Sequence, residues 1–318
     1  MTGMRPQFLS RWVAAYTWRH PMTRTLGLFS LALIVVVMAW PVGSVAAAGS
    51  GVNSLIAGTP IRSVYIRPPR GAATATKPLQ VLLALHGMGG SGEDFSKDLV
   101  EQADKYGWLL VAPTIDYGDW KNPSVVARED PVLIRALADY LDQLPQITGF
   151  QTRRMVLILG HSRGAQLAHR FAEFRPEGVL AVAALSAGTY TLPQSSSPQG
   201  GLSFPFGTRD LAQYAGQPFD PSHFDRVQFW VGVGGQDTNA ADLPRQWDSV
   251  EGTTRVQRAE AFEAAMQQLG ANSVLRVFGD AKHDVTGEMR LAACAFLGSA
   301  MAPRAPHGTP LAAEPIAY

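Results

Sequence analysis

The pentapeptide Gly160-His161-Ser162-Arg163-Gly164 stands between an apolar run, Met155 to Leu159, and an amphipathic stretch, Ala165 to Phe174. The first reads as a short buried strand, and Gln166-Leu167-Ala168-His169-Arg170-Phe171 reads as a helix. The chain must therefore turn from strand to helix within a few residues, with a serine at the tip. Such a turn forces the serine into a strained backbone conformation and leaves no room for side chains two positions to either side. Glycine at 160 and 164 meets that demand. The pentapeptide alone is common, but in this setting it is a nucleophile elbow, which holds the hydroxyl out of the packed layer. A helix N-cap is the plainer role for Ser162, and the flanking glycines and the preceding strand count against it.

A reactive hydroxyl needs a base, a group to hold the base, and donors for a developing oxyanion. Three further segments supply candidates. The strand Gln80 to Leu85 runs into His86-Gly87-Met88-Gly89-Gly90, where small residues leave backbone N–H groups bare; Met88 and Arg163 are the candidate oxyanion donors. The strand Val227 to Val233 ends in Gly234-Gly235-Gln236-Asp237, which puts a carboxylate just past the sheet edge and makes Asp237 the candidate orienter. Asp220, Asp225 and Asp280 are held in reserve, since Asp also serves simply to cap and turn loops. The strand Ser273 to Phe278 leads through Gly279-Asp280-Ala281-Lys282 to His283, the candidate base. His86, His161, His169, His223 and His307 compete with it, yet His283 alone follows the last strand. The guanidinium of Arg163 has two readings, a clamp for an anionic group or a partner for a neighbouring carboxylate.

On H-G-M-G-G, G-H-S-R-G and the late G-x-x-H loop, the chain resembles the α/β-hydrolase family over about residues 60 to 298. Within it the likeness is greatest to the secreted esterase and polyhydroxyalkanoate-depolymerase-like branch. The resemblance implies a mostly parallel sheet and a Ser162–His283–Asp237 triad that cleaves carboxylic esters through an acyl-enzyme. H-G-M-G-G departs from the H-G-G-G of many lipases, which leaves open which amide after His86 points inward. A secreted acyltransferase with the same triad, or a non-catalytic binding protein on the same fold, are the alternatives within this architecture.

A rival reading uses the same glycines. Gly87, Gly89 and Gly92 fit G-x-G-x-x-G after a strand and before a helix, as in dinucleotide-binding loops. That fingerprint wants an acid at the tip of the next strand, Trp108 to Ala112; the nearest, Asp116, comes several residues too late. No cofactor and no metal are expected. The sole cysteine, Cys294, lies in an apolar helical stretch and reads as core packing, so there is no disulfide and no CxxC site.

Arg5, Arg11, Arg19 and Arg24 precede a charge-free span from Leu26 to Trp40, and Ala46-Ala47-Ala48 follows. Residues 1–48 read as a secretory signal with a small-residue cleavage site, or else as an uncleaved N-terminal membrane anchor. Either way the rest of the chain is expected outside the cytoplasm, periplasmic or extracellular. Without the leader's four arginines, 23 basic residues face 26 acidic ones, a balance that does not attract nucleic acid.

Residues 49–302 are expected to form one α/β domain. Strands near 61–66, 80–85, 108–112, 155–159, 179–185, 227–233 and 273–278 alternate with helices near 93–105, 131–144, 162–174, 254–269 and 285–301, the pattern of a parallel sheet covered on both faces. The segment 188–224 breaks that rhythm with Pro, Gly and Ser among scattered aromatics, and reads as a lid or cap. Gly87, Trp120 and Tyr190 are the candidate substrate-binding residues. The tail, 303–318, reads as unordered.

Overall fold

The computed structural model describes residues 56–302. The expected leader and tail lie outside them. In chain order the elements are β1 (Ile61–Arg67), β2 (Gln80–Leu85), α1 (Gly92–Lys97), α2 (Val100–Tyr106), β3 (Trp108–Ile115), α3 (Pro123–Asp142), α4 (Leu144–Thr148), β4 (Val156–His161), α5 (Arg163–Phe174) and β5 (Val179–Leu185). A two-residue hairpin, β6 (Ser196–Ser197) and β7 (Gly200–Gly201), and two single turns, α6 (Ala212–Ala215) and α7 (Pro221–Phe224), come next. The chain then continues through β8 (Gln228–Gly234), α8 (Asp248–Glu251), α9 (Arg255–Leu269), β9 (Ser273–Phe278) and α10 (Gly287–Ser299).

Seven strands form one sheet in the order β1-β3-β2-β4-β5-β8-β9. β1 runs antiparallel to β3, and every other pairing in this sheet is parallel. Side chains alternate across it with the period of two that strands impose. Leu83, Ile158, Val182 and Val231 face one layer, with Leu137, Phe171 and Phe262 of α3, α5 and α9. Leu82, Leu157, Ala183 and Trp230 face the other, with Ala103, Met289, Cys294 and Leu297 of α2 and α10. Burial on both faces explains why the central strands read as unbroken apolar runs.

Two helices differ from expectation. The stretch 93–105 is broken at Asp98 into α1, capped by Ser91, and α2, which places Leu99 and Ala103 in the core. α3 starts eight residues before Pro131: Asn122 caps it, Pro123 takes the first turn where a missing N–H costs nothing, and Pro131 sits inside the helix. The expected start at Pro131 therefore falls inside the helix, and the helix begins at Pro123.

The segment 188–224 contributes several side chains to the core beside α5. Tyr190, Leu192, Leu202, Phe204, Leu211 and Phe224 are all buried. Phe204 packs edge-on against Phe174, the last residue of a 12-residue helix and thus about 18 Å along it from Ser162. The aromatics there supply hydrophobic area to the layer that covers α5.

Candidate active site

Ser162 joins β4 to α5 at φ 53°, ψ −114°, outside the regions an L-residue ordinarily adopts. Its N–H donates to the Leu185 carbonyl at 2.8 Å, which ties the turn to the neighbouring strand. Both flanking glycines are required by close approach. A methyl group on Gly164 would overlap the Leu85 backbone carbonyl, and one on Gly160 would overlap Gly164 itself.

The structure brings the three expected side chains together. His283 Nε2 lies 3.0 Å from Ser162 Oγ, and His283 Nδ1 lies 2.8 Å from Asp237 Oδ2. A carboxylate can only accept, so Nδ1 carries the hydrogen and Nε2 turns its lone pair to the serine. Asp237 is 4% exposed and the His283 side chain 38% exposed, so the carboxylate is sealed while the imidazole faces the rim. Burial works against ionisation of Asp237, but the hydrogen bond from His283 and the charge of Arg255 outweigh it and hold the carboxyl below its usual range. A hydroxyl bonded to such an imidazole can be deprotonated as it attacks.

The reserve acids go elsewhere. Asp220 caps α7 and holds His223, Asp225 is partly buried next to α7, and Asp280 is exposed.

Two further histidines brace the site. His86 is buried; Nδ1–H donates to the Gly87 carbonyl at 2.6 Å and Nε2 accepts the Ile115 N–H at 2.9 Å, which fixes the start of the glycine loop. Burial holds its pKa below the ordinary value, in keeping with that neutral tautomer. His161 Nε2–H donates to the backbone carbonyl of His283 at 2.8 Å, with the two rings 5.1 Å apart. Burial lowers its pKa to about 4, so it stays neutral and holds the loop without adding charge.

Gly87 packs on Ser162, and a Cβ there would lie 3.4 Å from Ser162 Cβ. The Gly90 N–H closes a turn on the Gly87 carbonyl, with Gly89 at φ 68°. That turn leaves the Met88 N–H without a backbone or side-chain acceptor among the described residues. Arg163 is the first residue of α5, where an N–H has no intrahelical partner. Both candidate donors are therefore free.

The Arg163 side chain does not clamp a ligand. It is buried, pairs with Asp130 and with Glu129 at 3.1 Å, and lies over the Tyr117 ring. Arg170 binds the other oxygen of Asp130 at 2.9 Å, so one carboxylate holds two guanidiniums beneath the elbow. Half-buried Trp120 lies against Gly188 beside the Gln166 amide, where it can form part of a wall. Tyr190 cannot. It is fully buried and stacked on Phe262, so the expectation that it contacts substrate is corrected.

The dinucleotide reading is not supported either. Gly87 packs on Ser162, Gly92 is pressed against the Ala112 carbonyl, and Asp116 is paired with Arg62. The residue that sequence reasoning missed altogether is Arg255, whose Nη1 lies 2.9 Å from the second oxygen of Asp237.

No protein-family model and no curated protein matches the sequence. Solved structures do. The chain is similar to poly(aspartic acid) hydrolase-1 from Sphingomonas sp. KT-1, with 23% identity, a TM-score of 0.62, and coverage of 79% of this chain and 98% of that one. It is also similar to a ferulic acid esterase, with 17% identity, a TM-score of 0.50, and coverage of 75% and 91%. With these likenesses, a mostly parallel seven-stranded sheet and helices on both of its faces, the chain has the α/β-hydrolase fold.

Proposed function

We propose that the protein is a serine hydrolase that cleaves carboxylic ester bonds through an acyl-enzyme, and that its leader exports it. The observation that carries this reading is the unbroken chain of hydrogen bonds from Asp237 through His283 to Ser162. Ser162 Oγ attacks the acyl carbonyl while His283 Nε2 takes its proton. Asp237 holds the imidazole in the tautomer that leaves Nε2 free and stabilises the imidazolium that forms.

Negative charge then gathers on the former carbonyl oxygen. The Met88 and Arg163 amides meet it, and loss of one such donor costs about a hundredfold or more in rate. The imidazolium protonates the leaving alkoxide. His283 next takes a proton from water as the water oxygen attacks the acyl carbon, and the imidazolium returns that proton to Ser162 Oγ as the acid leaves. No cofactor or metal enters these steps.

A p-nitrophenyl ester series of increasing acyl length, with feruloyl, polyhydroxybutyrate and poly(aspartic acid) substrates alongside, tests the proposal. Turnover of esters that vanishes in Ser162→Ala supports it. Turnover of poly(aspartic acid) with no ester cleaved would overturn the bond type, and ester turnover surviving in Ser162→Ala would overturn the mechanism.

A further inference from the structure

Arg255 occupies a position that two general rules disfavour. It is the first residue of a 15-residue helix, where the positive end of the helix dipole repels a cation, and it is 4% exposed, where an unpaired charge is costly. Thr254 and Gln257 already complete a capping box there, so the helix does not need the arginine. Its partner is the Asp237 oxygen that His283 leaves free.

We infer that Arg255 is a positioning residue: it pins Oδ1 of Asp237 so that Oδ2 stays on the imidazole. This rests on the proposed serine-hydrolase reading and extends it to a fourth side chain. A carboxylate bonded through one oxygen can swing about its last torsion. Bonded through both, by a buried guanidinium on one side and an imidazole N–H on the other, it is fixed in plane.

The neighbouring groups do not duplicate the role. Arg258 is committed to the carbonyls of Gly188, Pro244 and Gly252 and to Asp248. His161 is neutral, and burial keeps the Tyr190 phenol protonated. Arg255 is thus the opposite charge in contact with Asp237, and it has an electrostatic consequence. By neutralising part of the carboxylate it weakens the pull on the imidazolium, so its removal should shift the acid limb of the rate profile to higher pH.

The test is the rate at which a fluorophosphonate probe labels Ser162, measured across pH in the wild type, Arg255→Gln, Asp237→Asn and the double variant. Arg255→Gln should label about 10- to 100-fold more slowly at neutral pH, the range for a misplaced catalytic group, with its acid limb displaced upward. The double variant should label no more slowly than Asp237→Asn, because a residue that acts through Asp237 has nothing left to position. Wild-type labelling by Arg255→Gln, or a double variant slower than Asp237→Asn by the full Arg255→Gln factor, would overturn the inference. If Arg255→Gln does not fold, the double variant, which leaves no buried charge unpaired, decides by the same comparison with Asp237→Asn. Failure of the wild type itself to label would sink the hydrolase reading, and is told apart from a failure confined to the Arg255 variants.

Discussion

His161 Nε2–H donates to the backbone carbonyl of His283 at 2.8 Å, across 122 residues of chain. The neighbour of the serine in sequence thus holds the loop that carries the imidazole, and the two halves of the site cannot drift apart without breaking this bond. His161→Leu removes the donor and leaves the partly buried carbonyl unpaired. Under the proposed mechanism kcat for a p-nitrophenyl ester should fall about tenfold or more, the scale expected when a general base loses its alignment. Unchanged kcat would show that the loop holds itself.

The two glycine environments predict opposite outcomes for the same substitution. A methyl group at Gly164 meets backbone that cannot give way, whereas at Gly89 it meets open space and only the left-handed φ of 68° resists it. Gly164→Ala should cost at least about 3 kcal/mol and Gly89→Ala about 1–2 kcal/mol. Urea unfolding of both variants makes the comparison.

Asp130 holds Arg163 and Arg170 in a cluster closed to solvent. Asp130→Asn leaves two buried guanidiniums short of a counter-charge, and breaking such an arrangement typically costs about 3–5 kcal/mol. Because Arg163 opens the helix behind the serine, activity and the unfolding midpoint should fall together. A midpoint within experimental error of the wild type would contradict the burial of this cluster.

Burial pushes the Glu251 carboxyl up to about 8, against the Tyr190 N–H bond and the charges of Arg258 and Arg170, which favour ionisation. The folded chain keeps this proton where the unfolded chain has lost it. The stability it contributes is therefore fully present below the ordinary carboxylate value and is lost as pH rises through 8. Glu251→Gln, which has no proton to lose, should gain on the wild type in melting temperature between pH 5 and pH 8. A difference that does not change with pH would count against the raised pKa.

The sequence made the strands legible because a doubly covered sheet demands apolar runs, and Leu82-Leu83-Ala84-Leu85 or Val156-Leu157-Ile158-Leu159 admit few other readings. Ser162, Asp237 and His283 could be singled out by their places just past strand ends, and the structure puts them within hydrogen-bond reach. Tyr190 was misread because the segment 188–224 has no periodicity, so nothing local shows which of its aromatics face inward. Pro131 misled for a related reason: a proline marks a helix start only where its missing N–H would have had no partner. Arg255 left one faint signal, a cation at the first position of a helix, and its meaning depends on Asp237, 18 residues away in the chain.

The most direct test is mass spectrometry of the protein after reaction with a fluorophosphonate. The account predicts one covalent adduct, on the peptide containing Ser162, formed by the wild type and absent from Ser162→Ala and from heat-unfolded protein. No adduct, or an adduct on a different residue that persists in Ser162→Ala, would contradict it.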